Sequence, residues 1–185
     1  MAPSAGPSAK LLVAAPDLED PNFQRTVVLV AEHGPEGAMG VVLNRRTETS
    51  VGEASPQLSR LVDGEELIHV GGPVQPNGVV VLAEFDEPER AASVVVGDVG
   101  FVAAGCDLDD VGGVLRRARV FAGHAGWGPG QLDAELEDEG WIIVNEPSPD
   151  EIFTEDPDGL WAEVLNRKGG RYTLVARMPE DPSVN

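Results

Sequence analysis

Lysine, cysteine and aromatic residues are all scarce in these 185 residues, and each shortage closes off a class of reading. With Cys106 as its single cysteine, the chain can form neither an internal disulfide nor a cysteine-based zinc cluster. The thiol sits in Val102-Ala103-Ala104-Gly105-Cys106, among small and apolar neighbours with no adjacent cation to activate it, and reads as an inert packed thiol. Lys10 and Lys168 are the only lysines, and 13 basic residues face 32 acidic ones for a net charge of −19. Such a field repels phosphate backbones over a Debye length of roughly 10 Å, so direct nucleic-acid binding is disfavoured. Arg45, Arg46, Arg116, Arg117 and Arg119 are the residues able to gather into a local basic patch. However, Arg116 and Arg117 fall near the end of a predicted helix, where cations complement the dipole. The acidic excess reads as a solvated surface that keeps the protein in solution. Long apolar runs are missing too: Val79-Val80-Val81-Leu82-Ala83 has the length of a strand, not of a bilayer span. The apolar patch at 11–15 is too short for a signal-peptide core. The expectation is a cytoplasmic protein without a membrane partner.

What is present is enough apolar residue, 42%, for a real core in a chain whose length fits one domain. A single domain is expected over residues 10–178, between disordered tails at 1–9 and 179–185. Residues 10–15 read as a strand, and the β-branched run 26–32 as a strand buried on both faces. His33-Gly34-Pro35-Glu36-Gly37 is a turn that makes a hairpin with a strand at 38–43. Ser50-Val51-Gly52-Glu53 has the form of a capping box, predicting a helix to about Leu61, although Pro56 falls where an N–H is needed. Further strands are predicted at 67–70, 78–85, 94–96, 101–103, 120–123 and 141–144, and helices at 107–115 and 132–139. A last helix carries Leu160, Trp161, Val164 and Leu165 on one face, capped by Asp158 and closed by Gly169-Gly170. Strands outnumber helices and several connections are too short for a parallel crossover. The class is therefore α+β with a mostly antiparallel sheet. The most distinctive stretch is Gly123-His124-Ala125-Gly126-Trp127-Gly128-Pro129-Gly130-Gln131-Leu132, read as a tightly bent loop feeding a helix.

Three blocks carry a recognisable pattern. The first holds Pro21-Asn22-Phe23, Arg25-Thr26-Val27-Val28, Glu32-His33 and Gly37-Ala38-Met39-Gly40-Val41-Val42-Leu43-Asn44-Arg45. The second is Val70-Gly71-Gly72-Pro73-Val74, and the third is the glycine-rich stretch with Glu135-Leu136 and Trp141. In this order, across nearly the whole chain, they resemble the YqgE/AlgH family, bacterial proteins of poorly defined function. The resemblance implies a compact intracellular α+β fold with a small closed or bifurcated, barrel-like sheet surrounded by helices. Some members carry a transcriptional-regulator label, but no DNA-reading motif and no catalytic set comes with the resemblance. His124 departs from the tyrosine more usual there, and Arg46 from the proline expected after Asn-Arg.

Site chemistry is thin. No phosphate-binding glycine loop is present, and Asp133 and Glu135 repel an anion from the helix that follows Gly130. His33, His69 and His124 are widely separated and lack metal-ligand spacing, and no cofactor is expected. Ser55, Ser59 and Ser93 lack a glycine elbow, and a Cys106–His124 pair requires the fold to bring the two together. His33 reads as a turn residue rather than a base. The best candidate is a groove where Asn44, Gly71, Gly72, Pro73, Gly126 and Trp127 converge, since glycine turns expose backbone polar groups and an indole offers a flat apolar wall. Against it stands the reading that Trp127 fills the core and Asn44 caps a turn. The functional expectation is a non-enzymatic interaction or regulatory module with a protein partner. A small-molecule binder or unrecognised enzyme using that groove is the alternative, and direct transcriptional regulation is disfavoured by charge.

Overall fold

The computed structural model describes residues 9–180, which fall into two compact units, residues 9–44 with 125–180, and residues 45–124. The expected tails lie outside the described residues apart from positions 9, 179 and 180. In chain order the first unit opens with β1 (Lys10–Ala14), β2 (Val27–Gly34) and β3 (Gly37–Val42). The second holds β4 (Arg46–Ser50), α1 (Val51–Ala54), β5 (Leu67–Val70), β6 (Val74–Phe85), β7 (Ser93–Val96), β8 (Val99–Phe101), α2 (Leu108–Gly112) and most of β9 (Leu115–Trp127). The first unit then resumes with α3 (Gln131–Glu137), β10 (Trp141–Asn145), α4 (Pro149–Ile152), α5 (Pro157–Lys168) and α6 (Tyr172–Val175). The fold is α+β and mostly antiparallel. Neither unit closes its sheet into a barrel: the strand order is β10-β1-β2-β3-β9 in the first and β4-β5-β9-β6-β8-β7 in the second.

In the first unit β1 pairs antiparallel with β10 and β2, Leu12 lying opposite Ile143 and Val28. Lys10 to Ala14 and Val27 to Val30 are buried throughout, as expected for strands covered on both faces. α5 supplies one cover. Pro157 opens it after the Asp156 cap, and Leu160, Trp161, Val164 and Leu165 are buried along one side. The Trp161 indole N–H donates to the Ala14 carbonyl at 2.9 Å. The cap is thus Asp156 rather than the expected Asp158. A second cluster gathers Phe23, Trp127, Leu132 and Trp141 with Leu12 and Val28.

In the second unit β9 lies between β5, which runs parallel to it, and antiparallel β6. Val51, Leu58, Ile68, Val81 and Val120 make its main cluster. The Ser50 capping box forms as expected, but α1 stops at Ala54 and Pro56 begins a separate 3-10 turn to Arg60. Proline's missing N–H and ring clash account for the break.

The glycine-rich stretch is corrected most. β9 continues to Trp127, so only Gly128-Pro129-Gly130 bends before α3. Gly123 is left-handed, with φ of 73°, and a Cβ there would collide with the Gly72 carbonyl oxygen. Glycine permits close backbone approach inside a strand here, not a free loop. Arg116 and Arg117 are likewise on β9 rather than at a helix end. Arg116 pairs with Asp98 at 2.7 Å and Asp86 at 3.0 Å, and Arg117 with Glu84 at 3.2 Å.

Candidate functional site

Of the six residues singled out, Asn44, Gly126 and Trp127 belong to the first unit and Gly71, Gly72 and Pro73 to the second. Both ends of the Asn44 amide are engaged: Oδ1 accepts from the Val27 N–H and Nδ2 donates to the Arg25 carbonyl, each at 2.9 Å. Trp127 is buried and stacks on Phe23 with ring centroids 6.1 Å apart. Gly71 donates its N–H to Ala122, and a Cβ on it would strike the Gly123 carbonyl oxygen. Glu135 lies against the indoles of Trp127 and Trp141. Burial pushes its carboxyl pKa up, the two indoles pull it down, and Asp20 adds to the rise.

The second unit carries a recess of about 400 Å³ on its own surface. Leu58, Leu61, Val81, Val102 and Leu108 form its walls, Ser55 and Gln57 contribute the polar groups, and no charged side chain lines it. Val79, half-exposed, stands at this recess. Half-buried Cys106 forms part of the wall, while His124 is not among the lining residues. Three chain segments build the recess, so no local sequence signal announced it. Deeper in the unit, His69 is buried, and its pKa falls to about 4 through desolvation first and then the neighbouring Arg119 charge. Its Nδ1 lies 3.3 Å from the Leu67 carbonyl oxygen, while Nε2 has no hydrogen-bond partner.

In the first unit, side chains from β1, β2 and α3 meet in a chain that the sequence did not reveal. Lys10 Nζ lies 3.1 Å from His33 Nδ1, and His33 Nε2 lies 3.0 Å from Asp133 Oδ1. The one available signal was a lysine heading an otherwise apolar strand. Elsewhere in this unit a hollow of about 590 Å³ is lined by Trp141, Ile142, Lys168, Arg171 and Tyr172, among others. The Arg171 hydrogen bond to the Tyr172 hydroxyl, 3.2 Å long, holds that phenol's pKa below its ordinary value. Among the described residues no cluster of three or more potential metal ligands occurs, and no helix is long and apolar enough to cross a membrane.

A family model described as AlgH-like matches residues 11–173. The chain belongs to the AlgH-like family. A UPF0301 protein of Streptomyces coelicolor is 40% identical over 184 residues, covering 96% of this chain and 95% of that protein. Another, of Thermobifida fusca, is 40% identical over 186 residues, covering 95% and 93%. Among solved structures, a Corynebacterium diphtheriae protein determined by X-ray crystallography superposes with a TM-score of 0.82 at 27% identity, covering 94% and 93% of the two chains. The AlgH protein of Pseudomonas aeruginosa, determined in solution, gives 0.69 at 27% identity, with 97% of each chain covered. The recess walls, His33, Asp133 and Tyr172 fall within the AlgH-like region, and Lys10 immediately precedes it.

Proposed function

We propose that this AlgH-like protein is a cytoplasmic, non-enzymatic binding module, and that the recess of its second unit holds a small, uncharged, largely apolar molecule. The supporting observation is the lining: aliphatic walls with two neutral polar side chains, in a volume within the range of ligand sites. An ionised group placed there would lose water without gaining a counter-charge, which is costly. Interaction with a protein partner, or regulation, would follow from what the recess holds. The proposal uses one unit's own surface, because the six-residue groove draws on both.

Cys106 supplies the test, since it is the only thiol in the chain and part of the recess wall. A library of neutral apolar metabolites is screened by thermal shift; a ligand at about 100 times its dissociation constant adds about 2.7 kcal/mol. A true recess ligand both raises the melting temperature and slows alkylation of Cys106, and Val102→Phe, which fills the recess, removes both effects. Stabilising ligands that leave Cys106 alkylation unchanged would place binding elsewhere and defeat the proposal.

A further inference from the structure

The Lys10–His33–Asp133 chain is an unusual arrangement for a protein that has two lysines to place. Lys10 is 9% exposed, in a strand whose five residues are all buried. A lysine present only to be neutralised would meet Asp133 directly. Instead an imidazole stands between them, 3.1 Å from the amine and 3.0 Å from the carboxylate. The His33 side chain is 13% exposed and the Asp133 side chain 62% exposed. His33 also lines an open hollow of about 540 Å³ formed by residues 31–37. A nucleophile, a base within hydrogen-bond reach and a third group that orients the base make a chemically complete set.

We propose that Lys10 is a nucleophilic amine that captures small, uncharged aldehydes, with His33 receiving its proton and Asp133 holding His33 in place. With Nε2–H donated to Asp133, Nδ1 presents its lone pair to the amine. The Nζ lone pair bonds to the carbonyl carbon, the C=O π electrons move to oxygen and one N–H proton passes to Nδ1, giving a carbinolamine alkoxide and an imidazolium stabilised by Asp133. The imidazolium returns that proton to the alkoxide oxygen, and the remaining N–H proton then passes by way of Nδ1 to the hydroxyl as it leaves as water. The products are a Lys10 imine and one water, and no oxidant or reductant is consumed. Burial pushes the Lys10 pKa below its usual value and the Asp133 charge opposes that fall, so the amine is held ready without being left unpaired. Glu32 and Glu36, which line the same hollow, and Asp133 disfavour anionic carbonyl compounds, which selects neutral ones. This capture concerns the first unit and does not depend on the apolar recess.

The two lysines make the experiment clean. The intact protein is treated with propanal and cyanoborohydride from pH 6 to pH 10, and propylation of Lys10 and Lys168 is followed separately by peptide mass spectrometry. Near neutral pH Lys10 reacts about tenfold or more faster than Lys168, as a general base positioned beside its amine requires. His33→Gln slows Lys10 by about tenfold or more and leaves Lys168 unchanged, as loss of a general base requires. Glyoxylate, an anionic aldehyde, labels Lys10 more slowly than propanal does. The proposal is overturned if Lys10 in the wild-type protein reacts no faster than Lys168 at neutral pH, a result that needs no variant to fold. It is equally overturned if His33→Gln leaves the Lys10 rate intact.

Discussion

At the scale of single residues, His69 makes the sharpest physical statement. Its imidazole is 3% exposed, set beside Arg119 and 5.7 Å from the Phe121 ring, and its pKa is lowered from 6.5 to about 4. The unfolded chain therefore takes up a proton at 6.5 that the folded chain refuses until about pH 4. Stability is undiminished by this group above pH 6.5 and falls as pH drops through that window. Desolvation of a fully enclosed ring makes the loss on the order of 3 kcal/mol. Urea unfolding of the wild-type protein should show this acid slope, and His69→Phe should flatten it between pH 6.5 and 4. An NMR titration in which His69 gains its proton near pH 6.5 would remove the argument.

At the scale of elements, β9 shows what was readable in the sequence and what was not. β1, β2, β10 and α5 were legible because each is a run or stripe of apolar side chains that its neighbours bury. β9 was half-hidden because Arg116 and Arg117 read as a polar helix end. Carboxylates from β6 and the segments beside it, Glu84, Asp86 and Asp98, neutralise Arg116 and Arg117, and nothing local in the sequence encodes that. The His33 chain was not legible: His33 read as a turn residue, and its partners lie 23 and 100 positions away. Glycine was recognised as decisive, but its purpose was misread. At Gly123 the requirement is both a left-handed backbone and room for the Gly72 carbonyl. Gly123→Ala should cost about 3 kcal/mol, combining about 1–2 kcal/mol of left-handed strain with overpacking against backbone that cannot move aside. Gly105, with φ of 75°, has nothing within 4 Å of a Cβ, so Gly105→Ala should cost about 1 kcal/mol. Denaturant-unfolding free energies of the two variants decide the matter. Equal losses would mean that strain alone, and not the backbone collision, makes Gly123 necessary.

At the scale of the whole molecule, charge dominates. A net charge of −19 repels itself, and that repulsion acts at long range, so it responds strongly to salt. The Debye length shortens from about 30 Å at 0.01 M to about 8 Å at physiological ionic strength, which screens most of the repulsion between distant carboxylates. Salt also weakens ion pairs such as Arg90–Asp110 at 2.7 Å and Arg116–Asp98 at 2.7 Å, which acts in the opposite direction. Those pairs are partly exposed, and contributions of about 0–1 kcal/mol each limit what screening can remove. The unbalanced acidic excess is the larger effect. Raising sodium chloride from about 10 to 150 mM should therefore raise the melting temperature, measured calorimetrically at pH 7.5, where His69 is neutral and contributes no slope. The same imbalance predicts no retention on duplex DNA at the low end of that range, where a phosphate-binding protein holds most tightly. A melting temperature that falls with added salt would show the local ion pairs, not the global field, to be in control. The charge argument against nucleic-acid binding would then lose its footing as well.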